Sequence, residues 1–321
     1  MKKLLSIVLC ILITAASLAG CGAQNNNNGT LKIVTTIFPL YDWTKNITDS
    51  AGAELSMLVN NGTDLHSFQP TVDDIGSITA CDVFIYVGGE SDKWVGDALA
   101  QQSNPDRIVI DLMDVLQDQV KEEELVEGME PEEEEEDEAG DEGPEYDEHI
   151  WLSLKNAKIA CDYIAQRLAE KDSANADTYR KNAEAYTKEL EALDSEYKTA
   201  VDSAENKTLL FGDRFPFRYM VDDYGLSYYA AFIGCSAESE ASFETIAFLS
   251  KKVDELGLKY IMTIESSDGS IANTIKNSTK KKDQEILTLD SLQSITAQTA
   301  DDAGYLDAMR SNLEVLKKAL S

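Results

Sequence analysis

The chain of 321 residues contains only two histidines, His66 and His149. Neutral imidazole is the commonest protein ligand for a transition metal, and a carboxylate behind it fixes its tautomer. His66 lies in Gly62-Thr-Asp-Leu-His-Ser-Phe-Gln-Pro70 and His149 in Tyr146-Asp-Glu-His-Ile-Trp151. Asp64, Asp147 and Glu148 are near enough in sequence to serve as those carboxylates. No local motif such as HExxH links the two histidines. Spacing alone therefore leaves two readings open: a shared metal, or two unrelated structural or surface residues.

The elements that must position them alternate in type. Leu31–Thr36, Glu54–Val59, Val83–Val87 and Arg107–Asp111 read as strands, with a helix over Phe38–Ile47 and a helix start at Thr71. Strands alternating with helical patterns at this spacing predict βαβ units and a parallel sheet. Thr208–Phe211, Ser227–Phe232, Tyr260–Ile264 and Ile286–Leu289 repeat the pattern, with helices such as Phe243–Leu256 between them. Between the halves, Tyr179, Ala183, Tyr186, Leu190, Leu193 and Tyr197 recur at helical spacing, which predicts one long amphipathic helix over about 176–205. The fold class expected is α/β: two lobes, each a mostly parallel sheet flanked by helices, joined by one long rigid helix. In such sheets ligands bind beyond the carboxyl ends of the strands, where the loops gather. The division expected is a leader over 1–21, a tether over 22–30, a first lobe over 31–175, the linker helix over 176–205 and a second lobe over 206–321.

The leader carries Lys2 and Lys3, an apolar run Leu4–Ile13, and then Leu18-Ala-Gly-Cys21. This has the form of a lipoprotein signal, with cleavage before Cys21 and a lipid on its thiol. The chain is thus expected outside the cytoplasm, anchored to the cell membrane. Cys81, Cys161 and Cys235 are odd in number and widely spaced, so they form neither a disulfide framework nor a zinc cage. Each sits in an apolar stretch and reads as a small buried hydrophobe. The formal net charge is −31. Much of it is local: residues 121–150 hold 17 acids against one lysine. The acidic stretch 122–147 is expected to be a disordered loop that cannot pack. With no basic patch, nucleic acid is not expected as a partner.

Several motifs in order resemble the solute-binding proteins of zinc- and manganese-importing ABC transporters, over nearly the whole mature chain. Leu31-Lys-Ile-Val-Thr-Thr-Ile-Phe-Pro-Leu40 looks like their opening strand, and Asn182-Ala-Glu-Ala-Tyr186 is similar to their linker helix. Thr63-Asp-Leu-His-Ser-Phe-Gln-Pro-Thr71 and Tyr146-Asp-Glu-His-Ile-Trp-Leu-Ser153 look like their two ligand motifs, which implies His66 and His149 as metal ligands. Phe217-Arg-Tyr219 with Tyr224-Gly-Leu226 resembles the segment after their third ligand, and Leu289-Asp-Ser-Leu292 their fourth-ligand region. The resemblance thus implies Asp290 as a ligand. At the third position stands Arg214, in Phe211-Gly-Asp-Arg-Phe-Pro-Phe217, where the family carries His or Glu. A guanidinium cannot ligate a metal. Asp213 is the substitute that a shifted loop would offer, and Glu265, in Thr263-Ile-Glu-Ser266, is the reserve.

The resemblance further implies a monomer that captures Zn2+ in the cleft and delivers it to an ABC permease. Mn2+ is the alternative cargo; Tyr-Asp-x-His-Ile-Trp-Leu-Ser and the charged loop before it favour zinc. Two rivals belong to other classes. A secreted zinc hydrolase needs an open coordination site and a base, for which Glu148 is the only hint. A surface adhesin has no support beyond a surface location.

Overall fold

The computed structural model describes residues 30–100, 104–129, 145–236 and 240–321. The leader, Cys21 and most of the tether lie outside the described residues. Among the described residues no helix is long and apolar enough to cross a membrane.

Two four-stranded sheets carry the chain. The first holds β1 (Lys32–Thr35), β2 (Glu54–Met57), β3 (Val83–Tyr86) and β4 (Ile108–Asp111) in the order β2-β1-β3-β4. The second holds β5 (Thr208–Phe215), β6 (Ser227–Ile233), β7 (Tyr260–Ile264) and β8 (Glu285–Leu289) in the order β6-β5-β7-β8. All pairs are parallel, so both sheets share one winding. Parallel sheets are covered on both faces and need apolar strands. Val83, Phe84 and Ile85 of β3 meet that need and are fully buried.

The helices begin where the sequence supplies caps. Thr71 accepts from the Asp74 N–H while the Asp74 carboxylate accepts from the Thr71 N–H, a complete capping box on Val72–Ala80. β5 is longer than its sequence suggests. Its pairing with β6 breaks after Phe211 and resumes at Arg214, a bulge that carries the strand on to Phe215. Gly212 sits in that break because a Cβ there would lie 2.5 Å from the Ala272 Cα of the helix Ser270–Ser278.

The helix Ala176–Ser203 runs for 28 residues, about 42 Å at 1.5 Å per residue. Tyr179, Ala183, Tyr186, Leu190, Leu193, Tyr197 and Val201 form its buried stripe. Tyr186 Oη donates to Asp42 in the first half of the chain, and Tyr197 Oη to the Met309 carbonyl in the last helix, Tyr305–Ala319. The two sheets are held against each other by more than this helix. Trp43 meets Tyr305 edge-on at 5.2 Å. Trp151 Nε1 donates to the Ser291 carbonyl, and Tyr305 Oη to the Trp151 carbonyl. One hydrophobic cluster runs through both halves, and Leu31–Ser321 is a single compact unit.

The acidic stretch departs from expectation at both ends. Glu122 and Tyr146 pair as an antiparallel bridge, so its described ends lie side by side. Glu124 and Glu127 face Arg218 and Lys252 of the second lobe. Val126 packs on the core and Met129 is buried. Gly128 permits a close approach, since its Cβ would strike the Phe248 ring. The cations and this apolar pair explain why 122–129 and 145–147 pack despite their charge. Residues 130–144, the heart of the expected disordered loop, lie outside the described residues.

Candidate metal centre

His66 sits on a short 3-10 turn, Leu65–Ser67, between β2 and the helix Val72–Ala80. Asp64 caps that turn by accepting the His66 N–H. His149 directly precedes a second such turn, Ile150–Leu152. The fold brings the rings together, with Nε2 to Nε2 at 3.2 Å. Each Nδ1 has its own partner: Ser91 Oγ at 2.7 Å for His66 and Asp147 Oδ1 at 3.0 Å for His149. An imidazole held through Nδ1 turns its Nε2 lone pair outward, the arrangement found in metal-binding histidines. Burial, with the neighbouring His149, pushes His66 down to about 3 and keeps it neutral at ordinary pH. Of the three carboxylates singled out above, Asp147 is the one that holds a ring. Glu148 is fully buried, accepts from the Ser91 N–H through Oε1, and leaves Oε2 without a hydrogen bond 3.7 Å from His66 Nδ1.

The second-lobe acids all lie at the carboxyl end of the sheet, but each has other partners. Asp213 accepts from the N–H groups of Arg214 and Ile264, and burial raises its carboxyl above the usual range. Arg214 pairs with Asp64 across the cleft. Burial alone would raise the Asp64 carboxyl, yet Arg214 and His66 hold it below its ordinary value. Asp290 Oδ1 accepts from the Leu292 N–H, and burial with the nearby Glu265 pushes Asp290 up to about 6. Glu265 accepts from the Ser291 and Gln293 N–H groups and from the Ser291 and Ser294 hydroxyls. It braces a turn in which Leu292 is held at φ 64°, a strained setting for a branched residue. Among the described residues, the cluster whose ligand atoms all lie within 4.8 Å of one another is His66, His149 and Cys235; Asp213, Asp290 and Glu265 are outside it.

Cys235 was not legible as a site residue. Cys81 and Cys161 are buried, as small hydrophobes should be, whereas Cys235 is partly exposed. It lines a cavity of about 730 Å3 together with His66, Trp94, Glu123 and Glu148. Burial and the surrounding carboxylates, Asp147 and Glu123 foremost, push its thiol well up. Gly234 sets this approach: a Cβ there would lie 3.0 Å from the His149 Cε1 and 2.9 Å from the Phe215 carbonyl oxygen. Gly234→Ala must therefore displace the His149 ring or the strand end. We expect it to weaken metal binding at this centre about 10- to 100-fold, as loss of an orienting partner does, read by chelator competition with the fold checked by circular dichroism.

Asp92 was also missed. It is buried and accepts from the Val87 and Gly88 N–H groups, supporting the Gly88-Gly89 turn that presses on Glu148. Burial raises its carboxyl from 3.8 to about 7. Between those values the folded chain holds a proton that the unfolded chain has lost. Stability from this group is full below about pH 4 and falls as pH rises towards 7, by at most about 1.4 kcal/mol per pH unit. Asp92→Asn removes that slope, so the melting temperature of the variant should gain on the wild type as pH rises from about 4 to 7.

Residues 33–319 match the family model for zinc-uptake complex component A, periplasmic (ZnuA). Zinc-binding lipoprotein AdcA of Streptococcus pneumoniae serotype 4 is 31% identical over 322 residues, covering 99% of this chain and 61% of that protein. The chain thus spans about three-fifths of the AdcA relatives it matches. The high-affinity zinc uptake system protein ZnuA of Bacillus subtilis is 29% identical over 98% of this chain and 96% of its own length. The Zn(II)-bound ZnuA-like domain of S. pneumoniae AdcA superposes with a TM-score of 0.70 at 26% identity, covering 91% of this chain and 99% of that one. The laminin binding protein Lmb of Streptococcus agalactiae, described as having adhesin and metal transporting activity, gives 0.72 at 25% identity over 91% and 100%.

Proposed function

The chain belongs to the ZnuA family of zinc-uptake components, and from that premise we propose that it captures Zn2+ in the cleft and delivers it to an ABC permease. The observation that carries the reading is the histidine pair: two Nε2 atoms 3.2 Å apart, each imidazole held from behind. A tetrahedral zinc shell with Zn–N of 2.0–2.1 Å has an N···N edge of about 3.3 Å. The pair is therefore set for a metal before one arrives, and little reorganisation opposes binding. His66 and His149 are the proposed first-lobe ligands. Asp290 is the proposed second-lobe carboxylate, because a cation would relieve the cost of burying it beside Glu265. Asp213 and Glu265, each tied to backbone donors, are the alternates.

The activity proposed is stoichiometric capture with no turnover. The chain acts as a monomer, anchored outside the cytoplasm by a lipid on Cys21. The proposed units are the first lobe 31–175, the linker helix 176–205 and the second lobe 206–321. The shared core and the stiff linker favour small lobe movements on loading. Competitive titration of the full chain with Zn2+ and Mn2+ tests the reading. One tightly held Zn2+ per chain, displaced poorly by Mn2+, is the expected result. Preference for Mn2+ would transfer the cargo to manganese, and no stoichiometric uptake of either would end the reading.

A further inference from the structure

We propose that the Cys235 thiolate is a third ligand in this site, making the metal centre a mixed imidazole–thiolate one. The inference rests on the capture reading above and adds to it the donor that decides metal preference. Geometry carries it. One ring nitrogen of His66, one ring nitrogen of His149 and Cys235 Sγ lie within 4.8 Å of one another. With Zn–N of 2.0–2.1 Å and Zn–S of 2.3 Å, tetrahedral edges are about 3.3 Å for N···N and about 3.6 Å for N···S. The nitrogen edge is already made at 3.2 Å, and the sulfur needs a movement on the order of 1 Å to complete the triangle.

The chain places the thiol there by construction. Cys235 follows β6 by two residues, and the intervening Gly234 packs close to the His149 ring because it has no side chain to hold the ring off. The second-lobe side chain that reaches across to Asp64 is Arg214, which has no lone pair to offer. Cys235 is thus the second-lobe donor that stands on the histidine pair. A second feature marks the position as one built for a cation. Glu148 is fully buried beside His66 with one carboxylate oxygen unpartnered, a cost that a bound cation offsets.

Thiolate is a soft ligand. It favours Zn2+ and its softer relatives and does little for Mn2+, which prefers oxygen. Metal binding requires the thiol to lose its proton, which leaves to solvent through the adjoining cavity. The other ligands proposed here are imidazoles and carboxylates, and they do not distinguish the two cations so sharply.

Cobalt(II) loading of the full chain tests this directly. The wild type should show visible ligand-field bands together with an intense near-ultraviolet thiolate-to-cobalt charge-transfer band. Cys235→Ser should keep the ligand-field bands through the histidine pair, lose the charge-transfer band, and lower zinc affinity at least about tenfold while manganese affinity hardly changes. Ligand-field bands without charge transfer in the wild type would overturn the thiolate and leave metal capture standing. A charge-transfer band that survives in Cys235→Ser would assign the sulfur elsewhere and overturn it too. No cobalt uptake at all would overturn both readings. If Cys235→Ser fails to fold, Cys235→Ala takes its place with the same two outcomes for the charge-transfer band.

Discussion

A His149→Ala chain should bind zinc at least about a hundredfold more weakly than the wild type. Loss of a partner behind a ligand already costs 10- to 100-fold, and loss of the ligand itself costs more. His149 is fully buried, and both ring nitrogens are engaged, Nδ1 by Asp147 and Nε2 towards His66. Alanine removes one donor from the pair and leaves His66 without the neighbour that, together with burial, holds it neutral. Asp147 is left buried with one fewer partner. Asp147→Asn separates the two effects: the ring stays, its orientation and basicity suffer, and the loss should fall within the 10- to 100-fold range. Competition against a chromophoric zinc chelator measures both. Equal affinity in the wild type and His149→Ala would show that the metal binds elsewhere.

The largest expected effect on stability is at Trp151. Its side chain is fully buried, its Nε1 donates to the Ser291 carbonyl of the other half, and its ring lies 5.2 Å from that of His149. Its own carbonyl accepts from Tyr305 Oη. Trp151→Ala should cost about 3–5 kcal/mol, the usual cost of emptying an aromatic site in a core. Trp151→Phe keeps most of the packing and should cost about 1–3 kcal/mol, chiefly by leaving the Ser291 carbonyl unpaired. Both are read from urea denaturation. The alanine variant should also bind zinc more weakly, because the wall behind His149 is gone. A Trp151→Ala chain as stable as the wild type would mean that the halves are not coupled through this contact.

These outcomes separate what the sequence could reveal from what it could not. Helices were legible where local periodicity or a cap announced them, as in the stripe from Tyr179 to Tyr197 and the capping box at Thr71. Strands were legible as apolar runs bounded by turns, which gave both sheets. The extension of β5 was hidden because its bulge lies at Gly212-Asp213, where composition reads as a turn. The histidines stood out by rarity, and the resemblance made them a pair. Cys235 carried no such signal: Ile233-Gly-Cys-Ser236 has no ligand spacing, and only the tertiary fold brings it to His149. The contact of Arg214 with Asp64 spans 150 residues and was equally invisible. The acidic stretch misled because its net charge concealed Val126 and Met129, and because the cations it faces lie in the other half of the chain.

X-ray absorption at the zinc edge of the loaded full chain reads whether zinc is held between His66 and His149. The expected spectrum contains two imidazole nitrogens at about 2.0–2.1 Å, recognised by the multiple scattering of their rings, and His149→Ala removes one of them. A shell of oxygens alone, with no imidazole scattering, would place the zinc away from both histidines.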